Sequence, residues 1–173
     1  MQYLNLTFTR HLSWVILATM LISACGFQLR GTAPLAFTKL HIQGAGLSIK
    51  KDLKRAIETN GVKVAEQAED AEMLVDLLNE ASEKRILSLS GRGLVREFEV
   101  YYTVNFRTRY ASNPLWGTAQ TIQIRRDFSY NDDSLLGKLE EEARLNTDMR
   151  KEAISAILRH LSAKTPYVQE ATQ

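Results

Sequence analysis

The most regular alternation of apolar and polar residues in the chain runs from residue 97 to residue 110. One set of alternate positions is apolar except for Thr108, and the other set is mainly charged or polar. A period of two over this length predicts a long antiparallel strand with one buried face and one solvent-facing face. Residues 112–117 predict a turn, and renewed alternation over residues 118–128 predicts the return strand of a hairpin.

Two other segments repeat apolar residues at the spacing of a helix. The first follows Ser48, a suitable N-cap, and stops at Asn60 and Gly61, a typical left-handed helix end. The second covers residues 135–161, after the cap-rich residues 131–134, and predicts one long amphipathic helix. Its apolar stripe consists of Leu139, Ala143, Met149, Ala153, Ile154, Ile157, Leu158 and Leu161.

The remaining elements are shorter. Residues 39–43 alternate as a short strand, and residues 62–64 suit a brief extended segment. The apolar density of residues 73–79 favours a strand, although a helix stays open there, and residues 88–93 predict a turn. This order predicts an α+β fold: an antiparallel or mixed sheet of about four strands, arranged as a meander, with two helices packed on one face.

Composition places the chain among ordinary globular proteins. Its 173 residues suit one domain, and 45% hydrophobic with 24% charged residues exclude disordered and fibrous classes. The net charge of +2 is too balanced for non-specific nucleic-acid binding. Cys25 is the single cysteine, so an intramolecular disulfide and Cys-rich zinc sites are excluded.

The N-terminal segment has the pattern of a processing signal. Arg10 and His11 precede a mainly apolar run over residues 12–22, which is shorter than the roughly 20 residues needed to span a bilayer. Directly after it, Ile22-Ser23-Ala24-Cys25 resembles the lipobox of bacterial lipoproteins. We therefore expect a diacylglyceryl group on the sulfur of Cys25, cleavage before Cys25 and an added acyl chain on the new amine. Two or three acyl chains make a stable membrane anchor.

The lipobox has consequences for location and domain organisation. Gly26 follows the cysteine in place of the aspartate that retains many lipoproteins in the inner membrane, which indicates the outer membrane, facing the periplasm. We expect residues 1–24 to be a removed signal peptide, 25–36 a lipidated tether, 37–163 a single α+β domain and 164–173 a flexible tail. The alternative is a buried structural cysteine behind an ordinary cleavage site or a short core helix.

The sequence offers little catalytic chemistry. His41 and His160 are the histidines after Cys25, and neither has a partner at the spacing of metal ligands or of a nucleophile and base. Residues 140–142 and 132–133 are acidic, and we interpret them as a solvated helix face and a helix cap. The prediction is a protein that is not an enzyme and that carries no cofactor or metal besides the lipid on Cys25.

Two further patterns have ordinary explanations. Residues 44–46 and 91–93 each contain two glycines but lack the remaining residues of a phosphate-binding loop, so turns are expected there. Arg107, Arg109 and the pair Arg125 and Arg126 lie beside aromatic residues on predicted strands, as in RNA-binding sheets. Export across the inner membrane excludes nucleic acid as a partner.

From Cys25 onward the chain resembles the lipopolysaccharide-assembly lipoproteins of Gram-negative outer membranes. The resemblance rests on the Cys-Gly-Phe-Gln-Leu-Arg-Gly opening at residues 25–31, the exit from helix one at Asn60, Gly61 and Val62, and residues 98–105 of the long strand. Their order and the length of the chain after Cys25 agree with that family.

The resemblance implies a function that composition does not show. Members of this family plug the lumen of the lipopolysaccharide-transport outer-membrane β-barrel, assist its assembly and contact lipopolysaccharide on its way to the outer leaflet. Regions of the family that correspond to Arg92 and Lys138 carry basic residues proposed for that contact, and arginine binds phosphate bidentately. The alternative for both residues is an ordinary solvated charge.

Two other classes of function stay open at this point. A lipoprotein of this size can anchor to periplasmic glycan or peptidoglycan. A lipoprotein hydrolase would need a pocket that joins a nucleophile to His41 or His160.

Overall fold

In a computed structural model, residues 35–44, 46–129 and 135–164 are described. The described part begins with strand β1 (Lys39–Gln43), helix α1 (Ile49–Thr59) and strand β2 (Lys63–Ala65). A single 3₁₀ turn, Ala68–Asp70, leads into the two longest strands. The two longest strands are β3 (Met73–Leu89) and β4 (Val95–Tyr110). Strand β5 (Gln120–Ser129) and helix α2 (Leu135–Ser162) follow them.

The five strands within the described residues form one mixed sheet in the order β2-β1-β3-β4-β5. Strand β1 is parallel to both β2 and β3, whereas β4 is antiparallel to β3 and to β5. The predicted α+β fold is confirmed. The expected four strands become five because Lys63–Ala65 pairs with β1, and the meander is restricted to β3, β4 and β5. Helix α1 is the crossover that a parallel connection between β1 and β2 requires.

Both helices pack on one face of the sheet, as predicted. In β4 the buried side chains are Val100, Tyr102, Val104, Phe106 and Thr108, and the residues between them are partly exposed. The hydrophobic core joins these residues to Ile49, Leu53 and Ile57 of α1 and to Met149, Ala153, Ile154, Ile157 and Leu161 of α2. The opposite face of the sheet carries no helix among the described residues.

Helix α1 ends as predicted but begins differently. Gly61 has a φ of +81°, and the backbone N–H of Asn60 donates to the carbonyls of Ala56 and Ile57. At the start, Ser48 occupies the N-cap position but makes no side-chain cap. Its hydroxyl donates to Glu80 of β3, and Glu80 itself accepts the backbone N–H of Ile49. A carboxylate distant in sequence therefore caps this helix.

Strand β3 is longer than residues 73–79. It continues to Leu89, with register shifts between Leu77 and Asn79 and again between Ile86 and Leu89. Most side chains from residue 78 onward are exposed on both faces. Apolar alternation fails there because this part of the strand meets α2 through polar contacts: the hydroxyl of Ser82 donates to Asn146, and Lys84 pairs with Glu142.

Helix α2 agrees with the predicted residues 135–161 to within one residue at its C-terminal end. Its apolar stripe is only partly buried: Met149, Ala153, Ile157 and Leu161 are in the core, but Leu139 is 55% exposed and Ala143 is exposed as well. The first turns of this helix therefore lie outside the main core. The predicted cap residues 131–134 are outside the described residues.

The predicted signal peptide, Cys25, almost all of the tether and most of the tail also lie outside the described residues. Among the helices that are described, none has the length and apolar character needed to cross a membrane.

Candidate functional site

Strands β3 and β4 form a long hairpin whose turn presents Arg92. The backbone N–H of Ser90 donates to the carbonyl of Leu94 at 2.7 Å, and that of Gly93 donates to Ser90 at 2.9 Å. The hydroxyl of Ser90 also accepts the N–H of Leu94. Within the described part of the chain, the exposed side chain of Arg92 makes no hydrogen bond or ion pair. The turn predicted from the glycines is confirmed, and it leaves the guanidinium free.

The same end of the hairpin exposes an apolar surface. Ile86, Leu87, Leu89 and Leu94 are 58%, 46%, 55% and 57% exposed, respectively. Large apolar side chains that are exposed together mark a binding surface more often than isolated ones do. We call these four residues and Arg92 the hairpin tip.

Lys138 lies beside the base of the hairpin tip. Ile86, Phe98 and Phe128 form one row across β3, β4 and β5. The ammonium of Lys138 lies 5.3 Å from the ring centroid of Phe128, and that of Lys84 lies 4.8 Å from the centroid of Phe98. Two cations therefore lie over the aromatic part of this row.

The structure places Arg92 and Lys138 at the same end of the sheet, without a contact between them in the part that is described. They differ in their surroundings. Lys138 Nζ already pairs with Glu141 at 2.8 Å, one helical turn away. Arg92 can therefore bind an anionic ligand directly, whereas Lys138 must first break its ion pair with Glu141.

The apolar part of the hairpin tip was missed by the sequence analysis. A usable signal is present in the sequence. Ile86 and Leu87 are adjacent, and Leu89 and Leu94 flank the glycine turn, so apolar residues occupy both faces of the hairpin end. In a strand with one buried face, apolar and polar residues would alternate there. Adjacent apolar residues place an apolar side chain on each face, so at least one of them lies outside the core face.

The open face of the sheet is polar and highly charged. At one end, Trp116 folds back over β4, with the guanidinium carbons of Arg107 and Arg109 at 4.7 Å and 5.1 Å from its ring centroid. Arg107 Nε also donates to the buried carboxylate of Asp76 at 2.8 Å. The arginines that suggested an RNA-binding sheet are therefore held by their own neighbours.

Farther along the open face, the arginines of β3 and β5 lie on either side of Tyr101. Arg85 pairs with Glu83 at 2.9 Å and stacks over the Tyr101 ring at 4.9 Å. From β5, Arg125 pairs with Glu99, which also accepts the Tyr101 hydroxyl. This face is covered by ion pairs and aromatic edges.

Between the helices and the sheet lies one polar network centred on Glu80. Its carboxylate accepts the hydroxyls of Tyr102 at 2.6 Å and Ser48 at 2.7 Å, and Arg150 Nε lies 3.7 Å away. Burial by itself raises the pKa of Glu80, but the hydrogen bonds from Tyr102, Ser48 and Ile49 and the charge of Arg150 together lower the pKa below its usual value. Burial and the bond to Glu80 raise the pKa of Tyr102. Both pKa shifts are explained by burial and by the hydrogen bonds through which Glu80 caps α1 and binds Tyr102.

His41 and His160 both make contacts with neighbouring residues that give them a structural role. The Nδ1 of His41 is 2.9 Å from the carbonyl of Ala65 on the adjacent strand. His160 meets the ring of Phe106 edge-on, with centroids 5.3 Å apart, and burial followed by the charge of Lys164 lowers its pKa. In the ranges that are described, no group of three or more His, Cys, Asp or Glu residues is placed to hold a metal ion.

Comparison with known proteins assigns the chain to a family. The family model described as LptE, lipopolysaccharide-assembly, matches residues 37–161. The chain belongs to this family. The resemblance stated from residues 25–31, 60–62 and 98–105 is thereby confirmed, and the chain is a lipoprotein of lipopolysaccharide assembly.

Individual relatives agree with the LptE assignment. The LPS-assembly lipoprotein LptE of Photorhabdus laumondii is 25% identical over 151 residues, which are 84% of this chain and 81% of that protein. The solution NMR structure of lipoprotein B from Nitrosomonas europaea is 42% identical, with a TM-score of 0.70 over 80% of this chain and 91% of that one. The crystal structure of rare lipoprotein B from Shewanella oneidensis is 25% identical, with a TM-score of 0.65 over 72% of this chain and 94% of that one.

Proposed function

We propose that this LptE-family chain is a lipid-anchored subunit of the outer membrane that plugs the lumen of the lipopolysaccharide-transport β-barrel. In this role it assists assembly of the barrel and contacts lipopolysaccharide through the hairpin tip and Lys138. The anchor is the acylated Cys25, and the domain faces the periplasm. The protein performs no catalysis and carries no cofactor other than its lipid.

The observation that carries this proposal is the composition of the hairpin tip. Lipopolysaccharide joins phosphate groups to several acyl chains, so a surface that binds it needs cations beside exposed apolar side chains. Arg92 supplies an unpaired guanidinium, and Ile86, Leu89 and Leu94 supply the apolar surface. Arginine favours phosphate because its planar group makes two parallel hydrogen bonds.

The open face of the sheet supports the plug. A domain that fills a water-lined lumen must meet polar walls on several sides without burying unpaired charge. The pairs of Asp76 with Arg107 and of Glu99 with Arg125 keep that face polar while neutralising these four charges.

Binding of lipopolysaccharide by the purified full chain tests the assignment of Arg92 and Lys138. The double variant Arg92→Glu with Lys138→Asp should bind less lipopolysaccharide, and the difference should narrow at high salt, where the wild-type attraction is already screened. Unfolding of Arg92→Glu alone should shift by under about 0.5 kcal/mol, because exposed charges rarely hold a fold together. Lys138→Asp also removes the pair with Glu141, so the Arg92→Glu variant is the cleaner test.

The matched control exchanges two exposed cations of α2, Arg144→Glu with Lys151→Asp, for the same change in charge. Unchanged binding in the double variant, combined with an unfolding shift above about 2 kcal/mol, would show that Arg92 and Lys138 are structural. Both variants should still purify with a stoichiometric β-barrel, since a plug uses a far larger surface than two side chains. Sedimentation with isolated sacculi and no barrel partner would instead support the peptidoglycan anchor.

A further inference from the structure

A second basic surface lies at the opposite side of the sheet from β5. Helix α1 crosses over the parallel strands β1 and β2, and between them runs an open groove of about 510 Å³. The side of α1 that borders this groove carries Lys50, Lys51 and Lys54, and the groove is otherwise lined mostly by apolar residues such as Ile42, Leu47 and Val64. We call the three lysines and the groove the α1 basic groove.

The three lysines have no carboxylate partner within the described part of the chain. Lys84 and Lys151 do have such a partner, Glu142 and Asp148 respectively, whereas Lys39 and Lys63 also make no ion pair among the described residues. Glu66 is the acidic residue that lines the groove, yet it forms no ion pair with the three lysines. The groove therefore presents concentrated, unneutralised positive charge in a protein whose net charge is only +2.

This arrangement opposes the local rules of helix stability. Lys50 and Lys51 lie in the first turn of α1, where the helix dipole favours anions, and Lys50 and Lys54 are four residues apart, where like charges repel. Glu80 caps the helix start, and among the described residues the three lysines form no ion pair that offsets this repulsion. Residues that break a local rule without a compensating contact are those expected to serve a function.

We propose that the α1 basic groove binds the anionic phospholipid headgroups of a membrane surface. Lysine interacts with phosphate as a point charge, and the set contains no arginine fork that would orient one small anion. Lys51 and Lys54 are exposed and the groove is open, so a single free phosphate would stay largely hydrated and screened. A negatively charged membrane surface attracts all three lysines at once, and each contributes independently.

The test measures vesicle binding by the full chain carrying Cys25→Ser, which removes the proposed lipid anchor. The quantity is the ratio of binding to phosphatidylcholine vesicles with phosphatidylglycerol over binding to phosphatidylcholine alone, since apolar insertion cancels in that ratio. Each lysine near an anionic surface raises partitioning about fivefold. Changing Lys50, Lys51 and Lys54 together to Gln should therefore lower the ratio by at least about tenfold.

The matched control removes three positive charges elsewhere, by changing Arg144, Lys151 and Arg159 of α2 to Gln. Its ratio should stay close to that of the parent. An equal fall in the control would assign the effect to net charge, and a parent chain with no preference for phosphatidylglycerol would refute the proposal outright. Inorganic phosphate, added at constant ionic strength, should leave vesicle binding unchanged. If it abolishes binding, the groove is a free-anion site and the membrane assignment is wrong.

Thermal unfolding separates binding from folding. Because the lysines repel one another and oppose the helix dipole, the triple Gln variant should melt at the parent's temperature or slightly above it. A clearly lower melting temperature would show that the lysines stabilise α1 and would overturn the argument from unpaired charge.

Discussion

Gly44 shows how one residue without a side chain lets two strands approach. It follows β1 with a φ of +108°, and a Cβ built on it would lie 2.5 Å from the carbonyl oxygen of Leu77. That oxygen belongs to β3 at the register shift between Leu77 and Asn79. Any other residue there meets both a strained backbone and a collision. The glycines at residues 44–46 thus serve the join between β1 and α1, as the prediction of a turn implied.

A prediction at this scale concerns the sulfur atom of Cys25. In Cys25→Ser the hydroxyl cannot form the thioether, so the protein should lose outer-membrane fractionation and incorporate no lipid label. Labelling with radioactive palmitate, followed by membrane fractionation, measures both effects.

The wild-type chain is the reference for this labelling. Absence of label in the wild type would contradict the lipobox interpretation and, with it, the proposed location. Label that persists in Cys25→Ser would place the lipid on another residue.

At the scale of elements, β4 organises the sheet. It pairs with β3 along almost its whole length and with β5 from Glu97 to Phe106, and its buried side chains form part of the core. Its neighbour β3 supplies the cap of α1 through Glu80 and continues into the hairpin tip. The same two strands therefore support the core at one end and the candidate lipopolysaccharide surface at the other.

Two adjacent substitutions in β4 test the orientation of this strand. Val104 is fully buried, so Val104→Asp should destabilise the fold by roughly 3 kcal/mol or more, because an unpaired carboxylate is costly in the core. Asn105 lies on the open face and accepts a hydrogen bond from Thr121 at 2.6 Å. Asn105→Asp keeps that acceptor and should cost less than about 0.5 kcal/mol. Urea midpoints of the two variants measure the difference.

Equal losses in the two variants would mean that β4 is buried on both faces. The pair is its own control, since the introduced side chain is identical and the positions are adjacent.

At the scale of the whole molecule, Glu80 joins four elements. Its carboxylate meets Ser48 and Ile49 at the start of α1, Tyr102 of β4 and Arg150 of α2, while Glu80 itself belongs to β3. Hydrogen bonds to a charged group contribute about 1.5–3 kcal/mol, more than neutral ones. A single ionised side chain therefore helps to position α1 on the sheet, besides the buried Ile49, Leu53 and Ile57.

This network predicts a dependence of stability on pH. Because the folded-state pKa of Glu80 is lowered from 4.5, its contribution is present above that value and is lost as the pH falls through the folded-state pKa. Glu80→Gln should destabilise the protein by about 1–3 kcal/mol at pH 7 and by less at pH 3, because below the unfolded-state pKa of 4.5 the unfolded carboxyl takes up a proton and the contribution of the folded carboxylate declines. Urea unfolding at pH 7 and pH 3 measures this, since urea does not screen charge.

Glu140→Gln is the matched control, because Glu140 is exposed on α2. It should leave stability nearly unchanged at both pH values. A loss in Glu80→Gln that is the same at pH 7 and in acid would show that the carboxylate charge does not hold the network.

Much of the fold follows from local patterns in the sequence. The alternation around Val104 and Phe106 predicted β4, because a strand with one covered face has apolar residues on that face and polar residues on the face exposed to solvent. Leu53 and Ile57 predicted α1 for the same reason at helical spacing, and the glycines beside Arg92 predicted its turn. Each of these features depends on residues within one element, which the sequence by itself determines.

Other features exist only in the tertiary structure. Nothing near Lys63 in sequence shows that β2 lies parallel to β1, and nothing near Ser48 shows that Glu80 caps the helix from β3. The buried residues of β3 end at Leu77, so Ile86 and Leu89 are exposed although their residue types suggest a core. Local periodicity indicates whether a residue is buried or exposed to solvent. Strand order and helix length decide which distant element covers that residue, and both are fixed only when the whole chain packs.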